Sequence, residues 1–344
     1  MHVWGGRSSE RGGGSARPLA LVVLAALVGC ERGPSDDELD RMLEEVRAAE
    51  QQAAELHGRS DERASWELEV RSATHAPVII GWGELSRLAT THVRTAQPAE
   101  AGDPRVIDYR GVRVDALVER VSPADDVSEV TFLAYDGFRA TALLADVRRY
   151  PITLAIEADG EPITRDLGGP IYLVHPHTDH PELVRRYDGQ SWVFYVTHVM
   201  VGTEPPSLRV GARTFDRAAL EAMEQVSLTT HVGYRLGWPS EAVRVEGVRL
   251  RDLLAAAGLS VPSSGHVRVL SHAPISHGDA RPTRVRASDV ASEDVIVALR
   301  YGEAREPIPA RLGGPLTLAF SEAVAAHLAE HDWLTFVEAL EVEP

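Results

Sequence analysis

Residues 130–176, VTFLAYDGFRATALLADVRRYPITLAIEADGEPITRDLGGPIYLVHP, decide the fold. Runs of β-branched, aliphatic and aromatic residues at 130–134 and 171–174 bracket an Asp136-Gly137 turn, a short helix start and a Gly168-Gly169-Pro170 corner. Glycine reaches backbone angles that other residues resist, and proline fixes the next one. The segment therefore reads as strand, turn, strand, short helix, strand, tight corner, strand.

Part of this pattern returns near the C-terminus. VIVALRYGEAREPIPARLGGPLTLAF at 295–320 echoes ITLAIEADGEPITRDLGGPIYLV at 152–174. Thr90-Thr91-His92-Val93 returns as Thr229-Thr230-His231-Val232, GVRVDALVERV from Gly111 as GVRLRDLLAAAG from Gly247, and SWVFYVTHVMV from Ser191 as DWLTFVEALEV from Asp332. The order is the same and the spacing is about 140 residues, the size of one domain. Two copies of one domain are expected, at 66–203 and 204–344, with Pro205-Pro206 at their seam. A pseudo-twofold pairing, like a dimer fused in sequence, is the expected arrangement.

A G-V-x-[LV]-x-x-L helix, a strand ending in Asp-Gly-aromatic, a G-E-P-I turn, a G-G-P corner and a closing Trp before a valine-rich strand, in that order, resemble the molybdopterin-binding domain of sulfite-oxidase-type oxidoreductases. The resemblance implies an α+β fold: two tandem domains of mixed sheets with short packed helices. It also implies molybdenum held by the pterin dithiolene and one protein thiolate, on the segment before the G-V helix. Those segments read LATTHV at 88–93 and SLTTHV at 227–232, with no cysteine in either. Where the family presents a basic residue before the closing Trp, Gln190-Ser191 and His331-Asp332 stand here.

His92 and His231 are the candidate replacement ligands, because imidazole is a common metal donor. The plainer reading makes them hydrogen-bonded core or interface histidines. Arg185 and Arg186 are candidates for a cofactor phosphate, and Tyr135, Asp136, Gly137 and Phe138 match the family's substrate-face turn. His175, His177, Asp179 and His180, in HPHTDH, form a candidate zinc or copper cluster, since histidines two apart can chelate from a strand or loop. The second copy offers only His272 and His277, in a loop that replaces the Asp-Gly-aromatic turn.

The first sixty residues differ from the rest. Arg7, Arg11 and Arg17 precede an apolar run at 19–28 that ends in Leu27-Val28-Gly29-Cys30. The run is too short for a stable span, and the pattern resembles a bacterial lipoprotein signal at 1–29 with Cys30 lipidated. Several acyl chains on one residue anchor stably where one is marginal. Membrane attachment through Cys30 is thus expected, in the cell envelope facing the periplasm. Glu31 rather than Asp after the cysteine favours the outer membrane by the same resemblance. Within 30–65, Ser35-Asp36-Asp37-Glu38 reads as a capping box that starts a spacer helix reaching Leu56.

Cys30 is the only cysteine, so disulfides, zinc knuckles and cysteine-held clusters are excluded from the repeats. The net charge of −16 becomes more negative once the arginine-bearing leader is removed, which disfavours nucleic acid as a partner. There is no G-x-S-x-G elbow and no phosphate loop. The leading expectation is a cofactor-free binding module whose partner is an envelope protein or small ligand. Its alternatives are a molybdopterin (molybdenum cofactor) oxidoreductase with a non-cysteine ligand and a histidine-based metal-binding protein.

Overall fold

The computed structural model describes residues 66–96, 105–232, 237–272, 283–292, 294–326 and 334–344. Cys30, the leader, the spacer helix and His277 lie outside the described residues. The described residues fall in one compact unit.

The first repeat supplies ten strands: β1 (Glu67–Ser72), β2 (Val78–Gly81), β3 (Thr91–Thr95), β4 (Ile107–Arg113), β5 (Glu129–Ala134), β6 (Arg139–Leu143), β7 (Thr153–Ala158), β8 (Glu161–Pro162), β9 (Tyr172–Val174) and β10 (Val196–Val201). One sheet runs β2-β1-β10-β5-β6, with β1 and β10 parallel. The other runs β3-β4-β7-β8, with β9 beside β7. The second repeat builds the same pair from β11 (Ser207–Val210), β12 (Arg213–Asp216), β13 (Val226–Thr230), β14 (Val243–Arg249), β15 (His266–Ser271), β16 (Thr283–Arg286), β17 (Val295–Tyr301), β18 (Glu306–Pro307), β19 (Thr317–Phe320) and β20 (Val337–Glu343). Its sheets run β12-β11-β20-β15-β16 and β13-β14-β17-β18, with β19 beside β17. The architecture is α+β, mixed sheets with short helices.

Period-two patterning makes these strands. In β1, Leu68 and Val70 are fully buried while Glu67 is exposed, so alternate side chains feed one core. Each repeat has its own core, one gathered around Phe132, Leu154 and Val199, the other around Val269, Leu318 and Phe320. Helices Trp82–Leu88, Val114–Val118 and Leu144–Arg149 pack on the first, and Arg217–Glu221 and Leu250–Ala256 on the second. Helix Leu250–Ala256 starts only after Val248, which is still paired to Val297 in the sheet.

The two copies share their irregularities. The β4–β7 register shifts at Gly111 and the β14–β17 register at Gly247, and a Cβ on either glycine would collide with the carbonyl of the neighbouring strand. Such a bulge bends its strand, and only glycine fits the close approach. Gly168 and Gly313 share φ +91°, both following Gly–Pro bonds are cis, and Tyr195 and Phe336 both take positive φ just before the closing strand.

The repeats do not pair as a pseudo-twofold. The outer face of the first repeat's β1-β10-β5 sheet receives the end of the second repeat where Ala310, Phe336 and His272 lie. Leu133 and Met200 bury with Ala310 and Phe336. Arg139 Nε donates to the Arg311 carbonyl at 2.9 Å, and the Ala310 amide to Thr203 Oγ1 at 2.9 Å. The His198 and His272 rings are 5.7 Å apart, and Arg71 lies 3.5 Å from Glu338. Each of these contacts joins a sheet face to an end, so the interface is heterologous.

Sheet composition explains which face docks. At the positions of Met200, Thr131 and Thr141 in the first repeat, strand register puts Glu341, Arg268 and Arg284 in the second. There Arg209, Glu341, Arg268, Glu343 and Arg284 form an ion-pair ladder across β11, β20, β15 and β16. At these positions the first face is uncharged and the second suits water; the charges the first face does carry, Glu69, Arg71 and His198, are paired within the seam.

Candidate functional site

Strand alternation governs the two Thr-Thr-His-Val segments. Val93 and Val232 enter the cores, so His92 and His231 point outward. The His92 side chain is 62% exposed and pairs with Asp108, Nδ1 to Oδ1 at 3.2 Å. Both histidines are exposed, and neither is a core residue.

HPHTDH is divided between two environments. His175 and His177 are buried with rings 5.7 Å apart; His175 stacks on Tyr187 at 4.7 Å, and both meet Trp192. Thr95 ties this corner together: its hydroxyl donates to the His175 carbonyl at 2.9 Å and accepts the His177 amide at 3.0 Å. Ring atom Nε2 of His175 meets the Ser191 carbonyl at 3.1 Å, as the neutral Nε2-protonated tautomer would. Burial pushes the His175 imidazole down to about 3 and lowers His177 as well. His180 instead packs on Tyr150 at 4.9 Å and faces Glu182, while Asp179 is exposed. Among the described residues, no three of His, Cys, Asp and Glu are grouped to hold a metal.

The Tyr135-Asp136-Gly137-Phe138 turn is accounted for by its own bonding. Asp136 Oδ1 accepts the Phe138 amide at 3.0 Å, Gly137 takes φ +83°, and Phe138 packs on the first core. Arg186 is committed to Asp146, which also accepts the Tyr187 hydroxyl at 2.6 Å; Arg185 is exposed on the surface. The two arginines therefore do not converge on one anion.

Two constellations had no signature in the sequence. Arg165 lies among three rings, its guanidinium 4.5 Å from the Tyr135 centroid and 5.3 Å from those of Trp66 and Tyr195. Its rings come from well-separated positions, Trp66, Tyr135 and Tyr195, and only the change from Ala310 to Arg165 between the repeats hinted at it. The second is the polar seam of Glu69, Arg71, His198, Glu204, His272 and Glu338. There the hydrogen bond from His198, with Arg71 adding attraction, holds the Glu69 carboxyl down at about 2, and burial lowers His272. An open cleft of about 410 Å³ at the edge of the second repeat is lined by His266, Arg284, Arg286 and Asp289, but its arginines are already paired, Arg284 to Glu343 and Arg286 to Asp289.

The chain matches the oxidoreductase molybdopterin binding domain over residues 55–180 and again over 215–343. The chain belongs to that family. No curated protein sequence matches it. Among solved structures it is similar to the sulfane dehydrogenase SoxCD from Paracoccus pantotrophus, at 12% identity and a TM-score of 0.33, covering 81% of this chain and 75% of that one.

The residues present do not fit the family's cofactor. A thiolate is missing from both ligand segments, and the histidines beside those positions face outward. The clearances at the corner glycines are filled by the protein itself: Phe194 against Gly168, the Ile163 carbonyl against Gly169 and Thr335 against Gly313. Nδ1 of His175, both ring nitrogens of His177 and Nε1 of Trp192 are buried without partners, a feature that suits a polar ligand. Yet they are enclosed by aromatic rings and kept neutral, so they offer no charge to a phosphate.

Proposed function

We propose that this chain is a cofactor-free member of its family, a binding or interaction module of the cell envelope. It is held to the membrane through lipidated Cys30 and faces the periplasm, on the outer membrane. The reading rests on one observation: both segments that should carry the metal's thiolate read Thr-Thr-His-Val, with the histidine turned to solvent. A soft metal site loses its anionic donor by that change, and a single exposed imidazole does not replace it. The partner is an envelope protein or a small ligand.

The test is elemental analysis of the full chain, extracted with detergent from a host that makes molybdopterin and purified without chelator. Molybdenum at background is the expected result, with a Cys30→Ser chain recovered from the soluble fraction. Stoichiometric molybdenum would sink the cofactor-free reading and restore the family's redox chemistry, the second reading, which the match over both repeats favours. Zinc or copper near one per chain would instead promote His175 and His177.

A further inference from the structure

The same end of the domain is covered in one repeat and, among the described residues, uncovered in the other. In the second repeat, Ala310 and Phe336 are buried against Leu133 and Met200 of the first, and Leu312 is 2% exposed, its carbonyl accepting Trp238 Nε1 at 2.8 Å. Sequence register and the shared corner put Arg165, Tyr195 and Leu167 at these positions in the first repeat. There Leu167 is 62% exposed and Phe194 36%, and the loop that supplies Trp238 in the second repeat reads AQPAEAGDP, with no aromatic residue.

Charge distinguishes the open end further. Among the described residues no carboxylate pairs with Arg165, and its Nη1 is buried without a hydrogen-bond partner. The rings of Trp66, Tyr135 and Tyr195 fix the guanidinium in place, and the Tyr195 hydroxyl donates to the Arg165 carbonyl at 2.8 Å. Held cations beside exposed apolar side chains are the composition of interface anchors.

We propose that this end of the first repeat is a docking surface for a segment of a partner protein, which brings a carboxylate to Arg165 and an aromatic side chain to Leu167 and Phe194. The second repeat supplies the template: its equivalent end is seated on protein, with Trp238 beside the equivalent leucine. The missing carboxylate is what Arg165 adds to that template. A second copy of this chain is a poorer occupant, because the sheet face it would offer carries the arginine-rich ladder. The proposal rests on the binding-module reading and names its surface.

The full chain in detergent is immobilised and panned against a phage-displayed library of random peptides, with molybdenum measured on the same preparation. Enriched peptides are expected to pair Asp or Glu with Trp, Tyr or Phe, and to lose about tenfold or more in affinity on both Arg165→Ala and Leu167→Asp. Leu167 is exposed, so the second variant keeps the test decisive if loss of Arg165 disturbs the fold. No enrichment, enrichment without acidic residues, affinity unchanged in Leu167→Asp, or Arg165-dependent self-association would each overturn the proposal. Stoichiometric molybdenum would overturn the binding-module reading whatever the peptides do; its absence, with no peptide dependent on these residues, would sink the docking surface alone.

Discussion

His175 is a nearly fully buried imidazole between Tyr187 and Trp192, and it is neutral because charging it there would cost its hydration. Its folded pKa lies below the unfolded one, so its contribution is complete above about 6.5 and is lost as pH falls toward 3. Between pH 7 and pH 5 this residue alone should remove about 2 kcal/mol of stability. His177 and His272, also lowered by burial, act in the same direction. Urea unfolding at the two pH values should show that loss, and His175→Phe, which keeps a stacking ring and cannot titrate, should flatten it. An unaltered slope in the variant would assign the acid sensitivity elsewhere. The sequence offered these histidines as ligands because their spacing suits chelation. Spacing does not report burial, and here the rings serve the core.

At the scale of single elements, the glycines separate into those held by contact and those that are not. A Cβ at Gly111 or Gly247 would collide with a neighbouring strand at the bulge, so Gly111→Ala and Gly247→Ala should each cost about 1–3 kcal/mol or more. Gly83, in helix Trp82–Leu88, has nothing within 4 Å of that position and no positive φ. Gly83→Ala should therefore be neutral or stabilise by up to about 1 kcal/mol. Thermal melts of the three variants would reverse this account if Gly83→Ala proved the most damaging. The strands, the Asp136-Gly137 turn, the Gly-Gly-Pro corner and the repeat were legible because each is a local pattern of hydrophobic period and special backbone angles. The Arg165 setting was not, since its rings arrive from separate strands and no local rule links them.

For the whole molecule, the seam between repeats is the element that sequence reasoning misjudged. Two similar domains suggested a symmetric pair, yet symmetry requires the same patch on both. Here Met200, Thr131 and Thr141 in one copy correspond to Glu341, Arg268 and Arg284 in the other. Ala310→Arg, which places the first repeat's residue in the seam, would bury a cation against Leu133 and Met200. Calorimetry should then resolve two transitions where the parent chain, with both repeats in one compact unit, shows one. A single transition at the parent temperature would mean that the seam contributes little to cooperativity.

The ion-pair ladder on the outer face of the second repeat has a further effect. A face-to-end contact, unlike a symmetric one, is not self-limiting: any copy that offered the same apolar face again could accept the next end, and chains would grow into fibres without closing. By carrying Glu341, Arg268 and Arg284 where the first repeat carries Met200, Thr131 and Thr141, the second repeat withholds the seat that a further end would need.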